Sequence, residues 1–314
     1  MPTVLVSKDL PGDALDRLRR APGARVVVGA HPGGGVDLED VVALVAVLTD
    51  VVDGARLASL PNLRIVANVA VGYDNVDLAA CRARGVVVTN TPDVLTESTA
   101  DFTMGLLLAA ARRIAEGDRV VRGGGFGGWA PSYMLGTAVS GATLGVVGLG
   151  RIGAATARRA RAFGMNVLYT QRRRAPEALE RELAATYTSV DALFSESDFV
   201  SLHCPLDETT RHLVDAERLA RMKPGSVLVN TARGPCVDEA ALAQALATGP
   251  LAAAGLDVYE REPAVHPALL ARDNVVLAPH LGSADRRTRE AMARLAADNV
   301  VAVLSGEPPL TPVP

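Results

Sequence analysis

Short valine-rich runs alternate with helical patterns along most of the chain. The first series of runs predicts strands at Thr3–Val6, Arg25–Val28, Ala43–Leu48, Leu63–Ala67 and Val86–Val88. Helical patterns lie between them, at Gly12–Arg20, Asp53–Ser59 and Val76–Arg84. Repeated β-α units of this kind imply a parallel sheet that is covered by helices on both faces.

A second series of runs predicts another sheet. Its strands are expected at Thr143–Val147, Asn166–Tyr169, Asp198–Leu202, Ser226–Asn230, Ala253–Leu256 and Asn274–Leu277. The chain has 314 residues, enough for two cores. Aromatic residues make up only 4%, so the cores must consist of Val, Leu and Ala, as in buried parallel sheets. The predicted fold class is α/β, with two doubly wound parallel-sheet domains.

A long helical pattern at residues 96–113 separates the two series. Its middle is apolar on every side, which predicts burial all round. A domain junction, a dimer interface and a central core helix in one domain all satisfy this pattern. The last helical pattern, Asp285–Leu304, is a candidate to cross back to the first domain.

The charge balance argues against two classes of partner. The net charge is −3 and the isoelectric point is near 6.0, whereas nucleic-acid and anionic-membrane binders need a basic surplus.

Cys81, Cys204 and Cys236 are an odd, widely spaced set, which favours reduced thiols over disulfides or a zinc site. The first residues read as a strand without a basic leader, and the longest apolar stretch, Met104–Ala111, is too short to span a bilayer. We therefore expect a cytoplasmic protein without a metal, nucleic-acid or membrane partner.

A glycine pattern follows the first strand of the second series. The strand runs directly into Gly148-Leu149-Gly150-Arg151-Ile152-Gly153, and an amphipathic helical pattern comes next. In such a G-x-G-x-x-G turn, Gly148 permits the tight turn, Gly150 lets the backbone approach a pyrophosphate, and Gly153 allows close helix–strand packing. The following helix N-terminus presents N–H groups and a partial positive charge to phosphates. The pattern predicts a dinucleotide site.

The residues after the next strand bear on the choice of dinucleotide. An NAD site has an acid there, which binds the ribose 2′-hydroxyl. This chain instead has Gln171-Arg172-Arg173-Arg174. Guanidinium groups bind a 2′-phosphate bidentately, and a carboxylate would repel it. The sequence favours NADP and leaves NAD possible.

Three polar residues follow strands of the second series. They are Arg233, Glu262 and His280, and ligands of open α/β sheets bind beyond the carboxyl ends of strands. Reduction of a keto acid needs a hydride, a proton donor and a cation that holds the carboxylate. A histidine beside a carboxylate stays protonated more readily, and an arginine fork grips oxygen atoms in a fixed geometry. The remaining histidines lack matching partners and are expected to be structural: His31, His203, His212 and His266.

With these motifs the chain resembles the D-isomer-specific 2-hydroxyacid dehydrogenases over nearly its full length, and especially their glyoxylate/hydroxypyruvate reductase branch. The segments that carry the resemblance are 68–75, 145–153, 203–206, 222–226, 231–234 and 279–283. The resemblance implies a flavodoxin-like substrate domain, 1–97 with 285–314, and an inserted Rossmann-type cofactor domain, 98–284. It implies an enzyme that acts mainly as a reductase of small 2-keto acids.

The resemblance also implies roles for individual residues. Arg233 is expected to clamp the substrate, His280 to act as acid/base, and Glu262 to keep His280 protonated. Backbone N–H groups near Val71 and Gly72 would hold the substrate carboxylate. The resemblance and the glycine pattern together predict the following cofactor residues: Thr99, Gly148, Gly150, Arg151, Ile152, Gly153, Gln171, Arg172, Arg173, Cys204, Pro205, Thr231, Ala232, Asp257, His280 and Gly282.

The family is usually homodimeric, and a loop tryptophan of related reductases enters the neighbouring subunit's site. Trp129 matches that position loosely, after the glycine-rich run Gly123–Gly128. Two alternatives stay open. A phosphoglycerate dehydrogenase would want basic groups near Val71, and the segment Asn68–Asp77 has none. A non-catalytic, dinucleotide-sensing scaffold like the C-terminal-binding-protein corepressors shares the fold but carries extra tails.

Overall fold

The computed structural model describes residues 1–21, 23–29 and 36–314, which form two compact units. One unit contains Met1–Leu95 and Ala284–Pro314, and the other contains Thr96–Ser283.

The first unit has a five-stranded parallel sheet in the order β2-β1-β3-β4-β5. This is the flavodoxin-like order. The strands are β1 (Thr3–Val6), β2 (Arg25–Val28), β3 (Val41–Ala46), β4 (Ile65–Asn68) and β5 (Val87–Thr89). The helices are α1 (Ala14–Leu18), α2 (Gly54–Ala58), α3 (Leu78–Ala83) and α12 (Arg286–Leu304).

Helix α12 packs against α1, β3 and β4 of this unit. Its buried apolar residues recur at helical spacing and form one face: Met292, Ala296, Val300 and Val303. The helix begins after Asp285, whose carboxylate accepts a hydrogen bond from the Thr288 N–H (2.8 Å).

The second unit has a seven-stranded parallel sheet in the order β12-β11-β10-β9-β6-β7-β8. Counted from its own first strand this is the doubly wound dinucleotide-binding order with one strand added. The strands are β6 (Thr143–Val147), β7 (Asn166–Thr170), β8 (Ala185–Tyr187), β9 (Phe199–Leu202), β10 (Ser226–Asn230), β11 (Leu251–Leu256) and β12 (Val275–Leu277). The helices are α4 (Thr96–Ala111), α5 (Ile114–Arg122), α6 (Arg151–Ala162), α7 (Glu177–Leu183), α8 (Val190–Glu196), α9 (Ala216–Arg221), α10 (Glu239–Thr248) and α11 (Pro267–Leu270).

Both faces of this second sheet are covered. Val146 and Val229 belong to one buried cluster, whereas the adjacent residues Val147 and Leu228 belong to the cluster on the opposite face. Because both faces are buried, the strands read as unbroken apolar runs rather than as alternating ones. The two sheets confirm the predicted fold class.

In the second sheet, the carboxyl ends of six strands lie level with one another. In the strand register, one residue from each of six neighbouring strands is aligned in a single row: Thr170, Val147, Leu202, Asn230, Leu256 and Leu277. Residues that directly follow these strands therefore emerge side by side, which positions the candidate site.

Helix α4 packs against β10, β11 and α6, so it is a core helix of this unit. The expectation of burial on every side is wrong for the single chain, because Asp101 and Gly105 are exposed and Leu108 is only half-buried. The helix contacts the sheet and α6 with one broad face. Asp101, Gly105 and Leu108 lie on the opposite face of the helix. The helix ends earlier than predicted, since Arg113 adopts a left-handed conformation (φ 54°) and α5 begins at the next residue.

Candidate active site

The glycine loop joins β6 to α6. Gly148 has φ +95°, and a Cβ there would lie 2.9 Å from the His203 carbonyl oxygen. At Gly153 a Cβ would lie 2.1 Å from the Gly148 carbonyl oxygen. Both positions therefore require glycine, for backbone conformation and for close packing respectively.

Gly150 differs from the other two glycines of the loop. It is the N-cap residue of α6, and a Cβ there would meet none of the described atoms within 4 Å. Among the described residues, nothing demands glycine at this position. The open space in front of α6 is what a pyrophosphate would fill, facing the N–H groups at Arg151 and Ile152. The residues present thus fit a dinucleotide.

The segment after β7 lies beside this loop. The Gly148 N–H donates to the Thr170 carbonyl (2.8 Å), and the Leu149 N–H donates to Oε1 of Gln171 (2.9 Å). Gln171 therefore holds the glycine loop through its side chain. It also occupies the position at which an NAD site has its acid.

The three arginines that follow Gln171 have different surroundings. Arg172 is 77% exposed and its Nη1 lies 3.5 Å from Oδ2 of Asp207, while Arg173 is exposed. Arg174 donates two hydrogen bonds to Glu180 (2.8 and 2.9 Å), and these lower the pKa of the Glu180 carboxyl. Arg174 is thus committed to Glu180, whereas Arg172 and Arg173 are exposed in the segment whose Gln171 contacts the glycine loop.

The carboxylate of Glu262 lies 3.0 Å from a ring nitrogen of His280, between Oε2 and Nδ1. The other carboxylate oxygen accepts the Tyr259 N–H (3.1 Å). Burial would raise the pKa of Glu262, but the hydrogen bond and charge of His280 outweigh it, so the pKa lies below its ordinary value. The pair is thus a carboxylate facing Nδ1, with Nε2 on the opposite side of the ring.

His280 owes its position to a local backbone feature. It adopts a left-handed conformation (φ 56°), and its N–H donates to the Asp257 carbonyl (2.9 Å). The Asp257 carboxylate is buried and accepts the N–H groups of Leu281 (2.6 Å) and Gly282 (2.8 Å). Burial raises the pKa of Asp257, although those two N–H groups oppose the rise. Asp257 therefore fixes the turn on both sides of His280.

Arg233 lies in the turn after β10. Asn230 shapes this turn, because its side chain accepts the Ala232 N–H (3.0 Å) and donates to the Arg233 carbonyl (2.9 Å). At the next residue, Gly234, a Cβ would lie 1.8 Å from the Tyr259 carbonyl carbon, so this turn packs directly on the Glu262 loop. The positive charge of Arg233 contributes to the lowered pKa of Glu262, after the contribution of His280. The three predicted catalytic residues therefore converge in this unit.

Three of the predicted cofactor residues, Thr99, Thr231 and Gly282, also lie close together. Thr103 Oγ1 lies 2.8 Å from Oγ1 of Thr231 and donates to the Thr99 carbonyl (2.7 Å). A Cβ on Gly282 would lie 3.3 Å from Thr99 Cγ2. The N-terminal half of α4 thus brings Thr99 against the turns that follow β10 and β12.

Cys204 and Pro205 follow β9. The Cys204 sulfur lies 4.0 Å from that of Cys236, and the hydrogen bond with the Cys236 thiol, followed by burial, raises the pKa of Cys204. All three cysteines are free thiols in the structure. The neighbouring ring of His203 meets Ser201 Oγ at 2.9 Å, and burial lowers the pKa of His203 to about 4, so this ring is neutral near pH 7.

The expectation that the remaining histidines lack partners is wrong for His212. Its Nε2 lies 2.6 Å from Oε1 of Glu260, a residue 48 positions away that no local pattern links to it. His266 caps α11 by accepting the Ala268 N–H (3.3 Å), so it is structural as expected. His31 lies outside the described residues.

Val71 and Gly72 belong to the first unit, after β4. The Asn90 side chain donates to the Val71 carbonyl (2.8 Å), and the Asn68 side chain donates to the Gly72 carbonyl (2.9 Å). Trp129 belongs to the second unit and is 83% exposed. The roles of these three residues toward substrate, and the homodimer, stay predictions.

Neither a metal centre nor a membrane span is found in residues 1–21, 23–29 and 36–314. This part of the chain holds no cluster of three His, Cys, Asp or Glu side chains that could ligate a metal ion. Its helices are also too short or too polar to cross a bilayer.

Comparison with known proteins agrees with this geometry. Residues 104–282 match the family model described as the NAD-binding domain of D-isomer-specific 2-hydroxyacid dehydrogenases. A glyoxylate reductase from Korarchaeum cryptofilum is 48% identical, with 98% of this chain and 94% of that protein covered. A glyoxylate reductase from Thermococcus onnurineus is also 48% identical, with 99% and 95% covered.

Solved structures agree as well. A protein from Thermus thermophilus has a TM-score of 0.91 at 46% identity, with 99% of this chain and 100% of that chain covered. An NADPH-dependent glyoxylate/hydroxypyruvate reductase from Sinorhizobium meliloti, solved with NADP and malonate, has a TM-score of 0.89 at 38% identity, with 99% and 96% covered. The chain belongs to the D-isomer-specific 2-hydroxyacid dehydrogenase family. This confirms the predicted resemblance and the prediction of an NAD(P)-dependent oxidoreductase.

Proposed function

We propose that this protein reduces small 2-keto acids, glyoxylate or hydroxypyruvate, to D-2-hydroxy acids and prefers NADPH. The observation that supports this most directly is the 3.0 Å contact between His280 Nδ1 and Glu262 Oε2, in electrostatic reach of Arg233. The glyoxylate reductases at 48% identity support the same class of substrate.

The three side chains supply what a keto-acid reduction asks of a protein. Because Nδ1 of His280 faces Glu262, its Nε2 is the atom that delivers the proton to the keto oxygen. Glu262, with its lowered pKa, stays charged at neutral pH, and its carboxylate orients the His280 ring through Nδ1. The Arg233 guanidinium holds the carboxylate and keto oxygens of the substrate in a fixed orientation. A reduced nicotinamide supplies the hydride when it is bound.

The preference for NADPH rests on the segment after β7. Arg172 and Arg173 are exposed, and Gln171 ties this segment to the glycine loop. A ribose 2′-phosphate carries a charge that guanidinium groups bind and that the acid of an NAD site would repel. NAD remains an alternative cofactor at lower affinity.

Steady-state assays of dinucleotide oxidation with a panel of keto acids test the proposal. We expect turnover of glyoxylate or hydroxypyruvate with NADPH, and less with phosphorylated hydroxypyruvate. Arg172→Asp should raise the KM for NADPH about tenfold and lower that for NADH, since it removes a charged hydrogen bond and adds a repulsive charge. Arg174→Ala is the matched control, because Arg174 binds Glu180, and it should leave the cofactor preference unchanged.

Two results would contradict the proposal. Equal use of NADPH and NADH by the wild type would remove the argument from the 2′-phosphate. Tight dinucleotide binding without turnover of any keto acid in the panel would favour the non-catalytic scaffold.

A further inference from the structure

The loop that carries Glu262 is held by a second carboxylate, that of Glu239. Glu239 is the first residue of α10 and is only 5% exposed. Its Oε1 accepts the Glu260 N–H (3.0 Å), and its Oε2 accepts the His266 N–H (3.3 Å). These two backbone donors lie two residues before and four residues after Glu262, so one buried side chain fastens both flanks of the loop.

The attachment is reciprocal at Glu260. The Glu239 N–H donates back to Oε2 of Glu260 (3.2 Å), and Oε1 of Glu260 lies 2.6 Å from Nε2 of His212. The loop is therefore anchored on its outer side to α10 and to the segment that contains His212. On its inner side the same loop presents Glu262 to His280.

A buried carboxylate is costly unless its environment stabilises the charge. Two features do so for Glu239. Its oxygens accept backbone N–H groups, and it lies in the first turn of α10, where the helix dipole favours a negative charge. Helix α10 itself begins independently, because the Asp238 carboxylate caps it by accepting the Ala241 N–H (2.9 Å). The Glu239 carboxylate thus binds the loop and does not cap its own helix.

The loop needs such an anchor. Between the end of β11 at Leu256 and the start of α11 at Pro267, its only ladder pairing among the described residues is the isolated bridge between Arg261 and Ala264. Glu262 must nevertheless keep Oε2 within hydrogen-bond distance of His280. Small displacements of a catalytic partner cost rate even when binding is intact.

We propose that Glu239 is a positioning residue that sets the placement of Glu262 against His280. It touches neither substrate nor cofactor and acts only through the backbone of residues 260–266. The inference rests on the proposed function, in which the Glu262–His280 pair donates the proton.

A double-mutant cycle with glyoxylate and NADPH tests it. Glu239→Gln keeps the side-chain shape but turns one acceptor into a donor that faces an N–H group. We expect kcat to fall about tenfold, while the KM for glyoxylate and the Kd for NADPH change less than about twofold. In the Glu262→Gln background the same substitution should cause no further loss, because the residue it positions is already gone. The control is Asp238→Asn, which keeps a good helix cap and should retain wild-type kcat.

A second pair of variants removes one of the donors instead of the acceptor. His266 has φ −56° and ψ 126°, which proline also adopts, so His266→Pro deletes the N–H that donates to Glu239. His266→Ala keeps that N–H and loses only the side-chain cap of α11. We expect kcat of His266→Pro to lie about threefold below that of His266→Ala, even if Glu239→Gln does not fold.

Wild-type kcat in Glu239→Gln would overturn the inference. The inference would also fail if Glu239→Gln lowered kcat by the same factor in the wild type and in the Glu262→Gln background. The same holds for equal kcat in the two His266 variants if Glu239→Gln cannot be purified. If Glu262→Gln itself turns over glyoxylate like the wild type, the role assigned to the Glu262–His280 pair fails and the inference falls with it, whereas the keto-acid reductase activity stands. If Glu262→Gln is impaired and Glu239→Gln is not, only the inference fails.

Discussion

Two single-methyl substitutions in the glycine loop should have opposite effects. At Gly153, an added Cβ would lie 2.1 Å from the Gly148 carbonyl oxygen and 3.2 Å from Val146 Cγ1. The first distance is about 1 Å shorter than Cβ contacts tolerate, and the atom it meets is backbone. Overpacking of this kind costs about 2 kcal/mol, which corresponds to a fall in Tm of about 6 °C for a unit of this size.

At Gly150 the same substitution meets no described atom within 4 Å, and the backbone (φ −76°, ψ −163°) suits any L-residue. Gly150→Ala should therefore leave Tm unchanged, or raise it slightly by restricting the unfolded chain. Its methyl group instead occupies the space that we assign to the pyrophosphate. We expect NADPH affinity to fall at least about tenfold, since a close backbone approach to phosphate is lost.

Thermal unfolding of each variant, with and without NADPH, measures both effects, and fluorescence titration gives the Kd. The wild type should gain Tm on addition of NADPH, and Gly150→Ala should gain less at the same concentration. Wild-type NADPH affinity in Gly150→Ala, or a loss of Tm in that variant comparable to that of Gly153→Ala, would refute this account of the cradle.

Other predictions concern charge. Asp207→Asn should lower the Kd for NADPH about threefold, because the Asp207 carboxylate lies 3.5 Å from the Arg172 guanidinium and competes with the cofactor for it. Fluorescence titration at low salt measures this Kd, and an unchanged Kd would show that Asp207 does not compete. The fold lowers the pKa of Glu262 below the ordinary value of about 4.3, so its carboxylate stabilises the protein above that pH, and the contribution disappears as the pH falls through the lower folded pKa. Glu262→Gln should therefore cost about 1 kcal/mol at pH 6, and this cost should shrink as the pH falls through the lower folded pKa. An equal Tm difference from pH 2 to pH 7 would contradict this.

Local patterns predicted much of the fold. The valine-rich runs correspond to strands, and in the second sheet this follows from the burial of both its faces. The glycine loop lies between β6 and α6 as expected. The convergence of Arg233, Glu262 and His280 followed from strand ends alone, since parallel strands bring the residues after them to one edge. Strand β8 was missed because Ala185–Tyr187 is three residues long and contains no valine.

Pairings between distant residues left no such signal. Glu239 and Glu260 are 21 positions apart, and His212 and Glu260 are 48 apart, so only the tertiary structure joins them. The arginines after β7 are identical in type, and what separates Arg174 from its neighbours is a carboxylate six residues on, at Glu180.

The central claim is that His280, paired with Glu262, delivers the proton in keto-acid reduction. Single-turnover oxidation of bound NADPH by glyoxylate tests it most directly in His280→Ala, with NADPH binding measured by fluorescence in the same mixture. We predict that NADPH still binds and that its rate of oxidation falls by about a thousandfold, the usual scale of a lost general acid. Oxidation at the wild-type rate in that variant would contradict the account.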